Sequence, residues 1–263
     1  MEPAFHYSER PCPPALRPWL WSYWEFRVES DGAAVPHHVP PDGSTSVAVV
    51  VASGQVVHVG ASGPWLEPFV VPVVPTCQYW GVRCRPESGG LVLGVSPEKL
   101  RDRSQPIDHL APGLAQGLRE AMAQAGDFDQ AVAAMDRVFA GHLHGVDPPD
   151  PLARDAVNRL IARRGEAAIA ALAEELHVAP RTLLRRFRGA TGLNPKQFAR
   201  ICRFRYAALT LLEADPPGWA RIATESGFAD QAHMINEFKD LTGLTPETLG
   251  QRVRSTSHGK LHS

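Results

Sequence analysis

No two of the four cysteines, Cys12, Cys77, Cys84 and Cys202, form a C-x-x-C pair. That argues against a disulfide framework or a structural zinc knuckle and suits a reducing cytoplasm. No run of about 18 apolar residues occurs, so no membrane-spanning helix is expected. The first residues, MEPAFHYSERPCPP, lack the basic-then-apolar layout of a secretory signal. Also missing are G-x-S-x-G, H-E-x-x-H, a phosphate-cradling Gly loop and G-x-G-x-x-G. The expectation is therefore not an enzyme, with no catalytic residue, cofactor or metal to nominate.

What is present is an uneven charge distribution. Across 263 residues the net charge is only −1, from 27 Lys and Arg against 28 Asp and Glu. From Pro151 onward, however, 17 basic residues face 11 acidic ones, a balance of +6. The first 150 residues hold the remaining 10 basic and 17 acidic groups, a balance of −7. Such asymmetry points to a polyanion partner for the second half. The alternative is chance segregation on a solvated surface.

Composition shifts divide the chain in the same place. Up to about Glu87 it is rich in Val, Pro and aromatics, and STSVAVVVA, QVVHVGA, FVVPVV and CQYWGVRCR read as strands. The many prolines favour short or edge strands. From Ser96 the pattern turns helical. SPEKLRDR opens with a cap residue and Pro97 at the first helical position. Leu114, Leu118 and Met122 form one apolar stripe, and Phe128, Val132, Met135 and Phe139 form another. GVDPPDP stiffens and interrupts the chain. The expected layout is a domain over 1–145, a Pro-rich linker at 146–151, an all-α domain over 152–252 and a disordered tail at 253–263.

Within the all-α domain one unit occurs twice. LAEELHVA at 172–179 matches IATESGFA at 222–229 at an offset of 50. FRGATGLNP at 187–195 matches FKDLTGLTP at 238–246 at an offset of 51. The extra residue falls in the turn or early in the later copy's second helix. Each copy reads as helix, tight turn, helix and a Gly-Leu-x-Pro stop, a helix-turn-helix. Ala173 and Ala223 allow close helix crossing, and Gly227 suits a turn position of positive φ, where the first copy has His177. Leu183 with Phe187 and Met234 with Phe238 are i, i+4 core pairs. The opposite face carries Arg181, Thr182, Arg185, Arg186 and Arg188 in the first copy and Gln231, His233 and Asn236 in the second, with Lys239 and Arg221 free for phosphates. Arg reads guanine through O6 and N7, and Asn or Gln reads adenine through N6 and N7. Duplication, shared stop and basic balance together predict double-stranded DNA as partner.

Residues 166–252 resemble the twin helix-turn-helix domain of AraC/XylS-type transcription regulators. The resemblance rests on IAALAEELHVAPRTLLRRF, GLNPKQFARICRFRYAALTLL and WARIATESGFADQAHMINEFKDLTGLTP. It implies a linker helix over about Pro195 to Glu213 and base-reading positions at Arg181, Leu184 and Arg185, then Gln231, Ala232, Ile235 and Asn236. Ala179 replaces a common capping Ser, leaving Pro180 to start the helix. Asn236 stands where Arg is common, and Leu184 and Ile235 offer apolar contact only. PPDGSTSVAVV, YWGVRCRPESGG and VSPEKLRDRSQPIDHL look like the mainly β sensor domain of a subset of that family. This implies a cupin-like or related sheet with appended helices that binds an effector, dimerises, or both. The fold class expected is therefore α+β in two domains, and RNA polymerase and a second copy of the chain are the further partners implied.

Trp24, Trp65 and Trp80 are candidates to line an apolar effector pocket, with plain core aromatics the alternative. Arg83 and Arg85, alternating along GVRCRP, are candidates to hold an anionic effector, with solvated arginines the alternative. His37, His38 and His58 read better as surface or hydrogen-bonding histidines than as metal ligands. Cys77 and Cys84, seven apart, are either a redox pair or buried free thiols. Two other functions compete. One is a DNA-binding scaffold whose first domain binds only protein. The other is a DNA-repair methyltransferase of the adaptive-response type, which the unpaired cysteines argue against.

Overall fold

The computed structural model describes residues 3–166, 168–213, 218–254 and 256–257. The strands are β1 (Ala4–Pro11), β2 (Leu20–Glu29), β3 (Val35–Val39), β4 (Ser46–Ala52), β5 (Gln55–Ser62), β6 (Phe69–Val73), β7 (Cys77–Cys84), β8 (Ser104–Pro106) and β9 (Thr256–Ser257). Seven form one sheet in the order β8-β5-β4-β7-β2-β1-β9, while β3 and β6 form a separate antiparallel pair. The four runs named from sequence correspond to β4, β5, β6 and β7. The long strand β2 adds a fifth, central between β7 and β1. Its LWSYWEFRVE alternation carries the strand signal. Proline sorts as expected: Pro36 and Pro72 face each other in the small pair, whereas β2, β4 and β7 contain none.

One face of the large sheet buries Val47, Val49, Val51, Trp80 and Val82. It is covered by helices α2 (Pro112–Met122) and α3 (Phe128–His142), through the two predicted stripes. Tyr23 crosses this layer and donates from its hydroxyl to Asp136 at 2.6 Å. Before these helices come the short α1 (Gly89–Leu93) and, at SPEKLRDR, only a single 3₁₀ turn, Pro97–Lys99, with no side-chain cap from Ser96. On the opposite sheet face, Phe26 and Val28 pack beneath the β3–β6 pair.

The remaining helices are α4 (Pro151–Ala162), α5 (Ile169–Glu175), α6 (Pro180–Thr191), α7 (Pro195–Glu213), α8 (Trp219–Glu225), α9 (Gln231–Thr242) and α10 (Pro246–Arg254). They bury two separate cores, and α7 serves both. Its first half supplies Phe198, Ala199, Ile201 and Cys202 to one core. Its second half supplies Phe204, Ala207, Ala208 and Leu211 to the other. Each core repeats the same edge-on ring pair, Phe187 with Phe198 at 5.7 Å and Phe204 with Phe238 at 4.7 Å.

The segment expected as a linker is packed. Asp147 accepts from the Trp19 indole at 3.2 Å, and Asp150 caps α4 by accepting from the Leu152 N–H at 2.9 Å. In the expected tail, α10 runs on to Arg254 and Thr256–Ser257 pair with β1; 255 and 258–263 lie outside the described residues.

Candidate nucleic-acid interface

The two repeats fold as α5-turn-α6 and α8-turn-α9. His177 takes φ +54° and Gly227 takes φ +73°, so each first helix ends in the same left-handed residue. Ala173 and Ala223 are fully buried at the crossings, and Leu183, Phe187, Met234 and Phe238 fill the cores. The extra residue lies in the turn: four residues separate α5 from α6, and five separate α8 from α9. The longer turn places Asp230 at the cap, where its carboxylate accepts from the His233 N–H at 2.7 Å. The first unit has no such bond; Ala179 caps nothing and Pro180 begins the helix.

The shared stop is a piece of scaffold. Thr191 Oγ1 donates to the Phe187 carbonyl at 2.9 Å and accepts from the Leu193 N–H at 3.1 Å. Thr242 Oγ1 does the same with Phe238 at 2.7 Å and Leu244 at 3.1 Å. The glycine between, Gly192 at φ +75° or Gly243 at φ +72°, turns the chain, and Pro195 or Pro246 starts the next helix.

On α6, Arg181, Leu184 and Arg185 are exposed at spacing i, i+3, i+4, which puts them on one stripe. Leu184 is 42% exposed, and neither arginine has an ion-pair partner among the described residues. Two arginines assigned to the same face are used otherwise. Arg186 makes a two-pronged bond to Asp150, with Nε donating at 2.7 Å, and so ties α6 to the start of α4. Arg188 pairs with Glu98 of the 3₁₀ turn. Thr182 is half-buried. The polar side of α6 is therefore not one uniform surface: Arg186 and Arg188 pair with carboxylates of the protein itself.

On α9, Gln231, Ala232, Asn236 and Lys239 are exposed and Ile235 is half-buried. His233 serves its own turn: Nδ1 accepts from the Ala229 N–H at 3.2 Å, and the ring stands edge-on to Phe228. Its neighbour Glu237 is paired with Arg200 of α7, which also reaches Asp240 at 3.0 Å. Arg221 pairs loosely with Glu225. A further ion cluster, unseen in the sequence, joins α4 to α5: Arg163 and Arg159 donate to Glu175 at 2.8 and 2.9 Å and hold its carboxyl below the usual range, Arg163 most strongly.

The candidate effector residues are each engaged within the fold. Trp80 is fully buried beneath the helices, its indole donating to Glu25 at 3.2 Å. Trp24 lies over Gly81 on the other sheet face. Trp65 stacks on Phe69 at 3.9 Å. Arg83 is engaged within the fold, donating to Glu9 at 2.6 Å and to Tyr7 at 3.0 Å and forming an ion pair with Asp42 at 2.7 Å. Burial alone would lower its pKa; Asp42, Tyr7 and Glu9 more than reverse this and keep it charged. Arg85 lies beyond the end of β7 and turns to Glu87 and Asn158 at 2.6 and 2.8 Å. The two arginines therefore do not share a site, because the strand periodicity that linked them stops at Cys84.

His37 packs between Phe26 and Phe5, His38 Nδ1 bonds the Thr242 carbonyl at 3.2 Å, and His58 is exposed on β5. Among the described residues no three His, Cys, Asp or Glu side chains converge as metal ligands would. Cys77 and Cys84 sit at opposite ends of β7, roughly 23 Å apart by strand rise, too far to bond. All four thiols are free.

The two units with their linker helix define a twin helix-turn-helix DNA-binding protein. Residues 172–252 match a family model described as a helix-turn-helix domain, and residues 8–106 match one described as a domain of unknown function, DUF6597. Residues 172–252 thus form a helix-turn-helix domain of the AraC type, a domain of DNA-binding transcription regulators. No curated protein matches in sequence. Among solved structures, the C-terminal domain of AraT, a response regulator from Geobacillus stearothermophilus, is 22% identical, covering 43% of this chain and 93% of its own, with a TM-score of 0.37. ToxT from Vibrio cholerae is 12% identical over 98% of this chain and 100% of its own, at a TM-score of 0.43. Its unsaturated-fatty-acid-bound form is 14% identical over 94% of each chain, at 0.45.

Proposed function

We propose that this regulator reads double-stranded DNA with α6 and α9 in successive major-groove segments. Arg181, Leu184 and Arg185 form the first reading stripe, and Gln231, Ala232, Ile235 and Asn236 form the second. The observation carrying this is that both arginines on the first stripe project unpaired while their neighbours Arg186 and Arg188 are tied down. An arginine held free of protein carboxylates keeps both prongs for O6 and N7 of guanine. Lys239 and the Arg221 edge supply phosphate contact, so affinity falls steeply with salt. The reading places the protein in a bacterial cytoplasm, in keeping with its four free thiols, and a second copy and RNA polymerase are its further partners.

The N-terminal domain receives the signal in this reading, and a small molecule is the effector class first considered. The engagement of Trp80, Arg83 and Arg85 within the fold favours a second reading, in which that domain answers to a protein partner instead. Selection from random duplex DNA tests the first claim; recovery of no common sequence would refute it. Thermal shift across a metabolite panel separates the other two: a stabilising compound identifies the effector, and uniform silence supports the protein partner.

A further inference from the structure

The segment between β5 and β6 touches both helix-turn-helix units at once. Leu66 packs into the first unit's core, the cluster that holds Leu183, Phe187 and Phe198. Pro68 lies against the second unit's stop, 3.6 Å from where a Cβ on Gly243 would stand. Only Glu67 separates them, so the two contacts are fixed within about 7 Å along the chain.

The segment is braced rather than loose. Trp65 and Phe69 stack with their planes 7° apart, and the Trp65 indole donates to Ser62 at 2.7 Å. The Leu66 N–H donates to Asp102 at 2.6 Å, the Asp102 N–H to the Pro64 carbonyl at 3.1 Å, and the Gly63 N–H to the Arg103 carbonyl at 2.9 Å. Each flank grips the unit nearest to it. The Pro97 carbonyl presses on Gly192 beside the Glu98–Arg188 pair, and His38, on the strand paired with β6, bonds the Thr242 carbonyl. Both units are thus held at the same structural point, the Thr-Gly stop. Their cores share α7, and residues 40–43 reach both as well, Pro40 beside Phe238 and Leu249 and Gly43 against Phe198.

We propose that the 63–69 segment is a spacer that sets the separation and angle of the two recognition helices. The N-terminal domain would then determine which half-site spacing the protein accepts. This rests on the DNA-reading assignment above. Adding one base pair between half-sites moves the second by about 3.4 Å and turns it by about 34°. A braced pair of helices rejects that change, whereas a pair that has lost this brace tolerates it better.

The test uses the full chain. Wild type is first subjected to selection from random duplex DNA, and the two half-sites recovered are then rebuilt in a library with their spacing varied by one or two base pairs. Wild type should prefer one spacing by about tenfold or more over its neighbours, comparable to one mismatched base pair. Leu66→Ala should flatten that preference to about twofold while keeping the base preferences within each half-site. Trp65→Ala, whose ring lies outside both helical cores, should do the same if Leu66→Ala fails to fold. An unchanged spacing preference in a folded variant overturns the spacer, as does loss of base and spacing preference together. If wild type itself selects nothing, the DNA assignment has failed, and the spacer with it.

Discussion

Gly192 and Gly243 end equivalent helices at nearly the same backbone angle, φ +75° and +72°, yet their surroundings differ. A Cβ on Gly243 would sit 3.6 Å from Pro68, an ordinary contact. A Cβ on Gly192 would sit 2.7 Å from the Pro97 carbonyl oxygen and 2.8 Å from its carbon, and backbone cannot swing aside as a side chain can. Alanine at either site carries the left-handed penalty of about 1–2 kcal/mol. At Gly192 the displaced 3₁₀ turn adds about 1–3 kcal/mol, the usual cost of forcing extra volume into a packed junction. Gly243→Ala should therefore lose about 1–2 kcal/mol, and Gly192→Ala about 2–5 kcal/mol. Urea unfolding of both full-length variants, followed by far-UV circular dichroism, measures the pair. Where the two domains unfold separately, the comparison applies to the helical transition. Equal losses within about 0.5 kcal/mol would refute the reasoning, since the strain common to both sites would then be the whole effect.

Arg185→Ala should weaken specific binding by about 1–3 kcal/mol and relax selectivity at one base pair, whereas Arg186→Ala should lower thermal stability and leave base preference alone. Wild-type affinity and specificity in the first variant would show the α6 register to be wrong. Gly227→Val places a β-branched side chain at φ +73°, with its Cβ 3.0 Å from Glu166 Cγ, and should cost about 2 kcal/mol or more; an unchanged melting temperature would contradict this. His37 has its pKa lowered to about 4, by burial first and then by the charges of His38 and Arg252. The unfolded chain therefore binds more protons below its ordinary value of 6.5, and stability present above that value falls as pH drops toward 4. Because the ring is partly exposed, the loss should be about 1–2 kcal/mol. His37→Leu should flatten the melting-temperature profile in that window, and parallel profiles for variant and wild type would exclude His37 as the source.

Much of the DNA-binding half is determined locally and was legible in the sequence. The offsets of 50 and 51, the left-handed positions at His177 and Gly227 and the Thr-Gly stops are each set by a few neighbouring residues. The core pairs likewise follow from helical periodicity, while the span of α7 was implied by the family resemblance. The sequence could show that α6 has a basic side. It could not show which arginines on it are free, because the carboxylates that take up Arg186 and Arg188 lie 36 and 90 residues away. The same limit governs the N-terminal domain. Alternation marks β4, β5 and β7 as strands, but which face of the sheet meets α2 and α3 is decided by packing. So is the fate of Trp80 in the core and of Arg83 between Glu9 and Asp42. Nor does any local pattern place Leu66 in one helical unit and Pro68 against the other. Helices, turns and caps arise from bonds a few residues apart, which a sequence displays; the partners of a charge and the docking of a loop depend on contacts between distant residues, and only the folded chain fixes those.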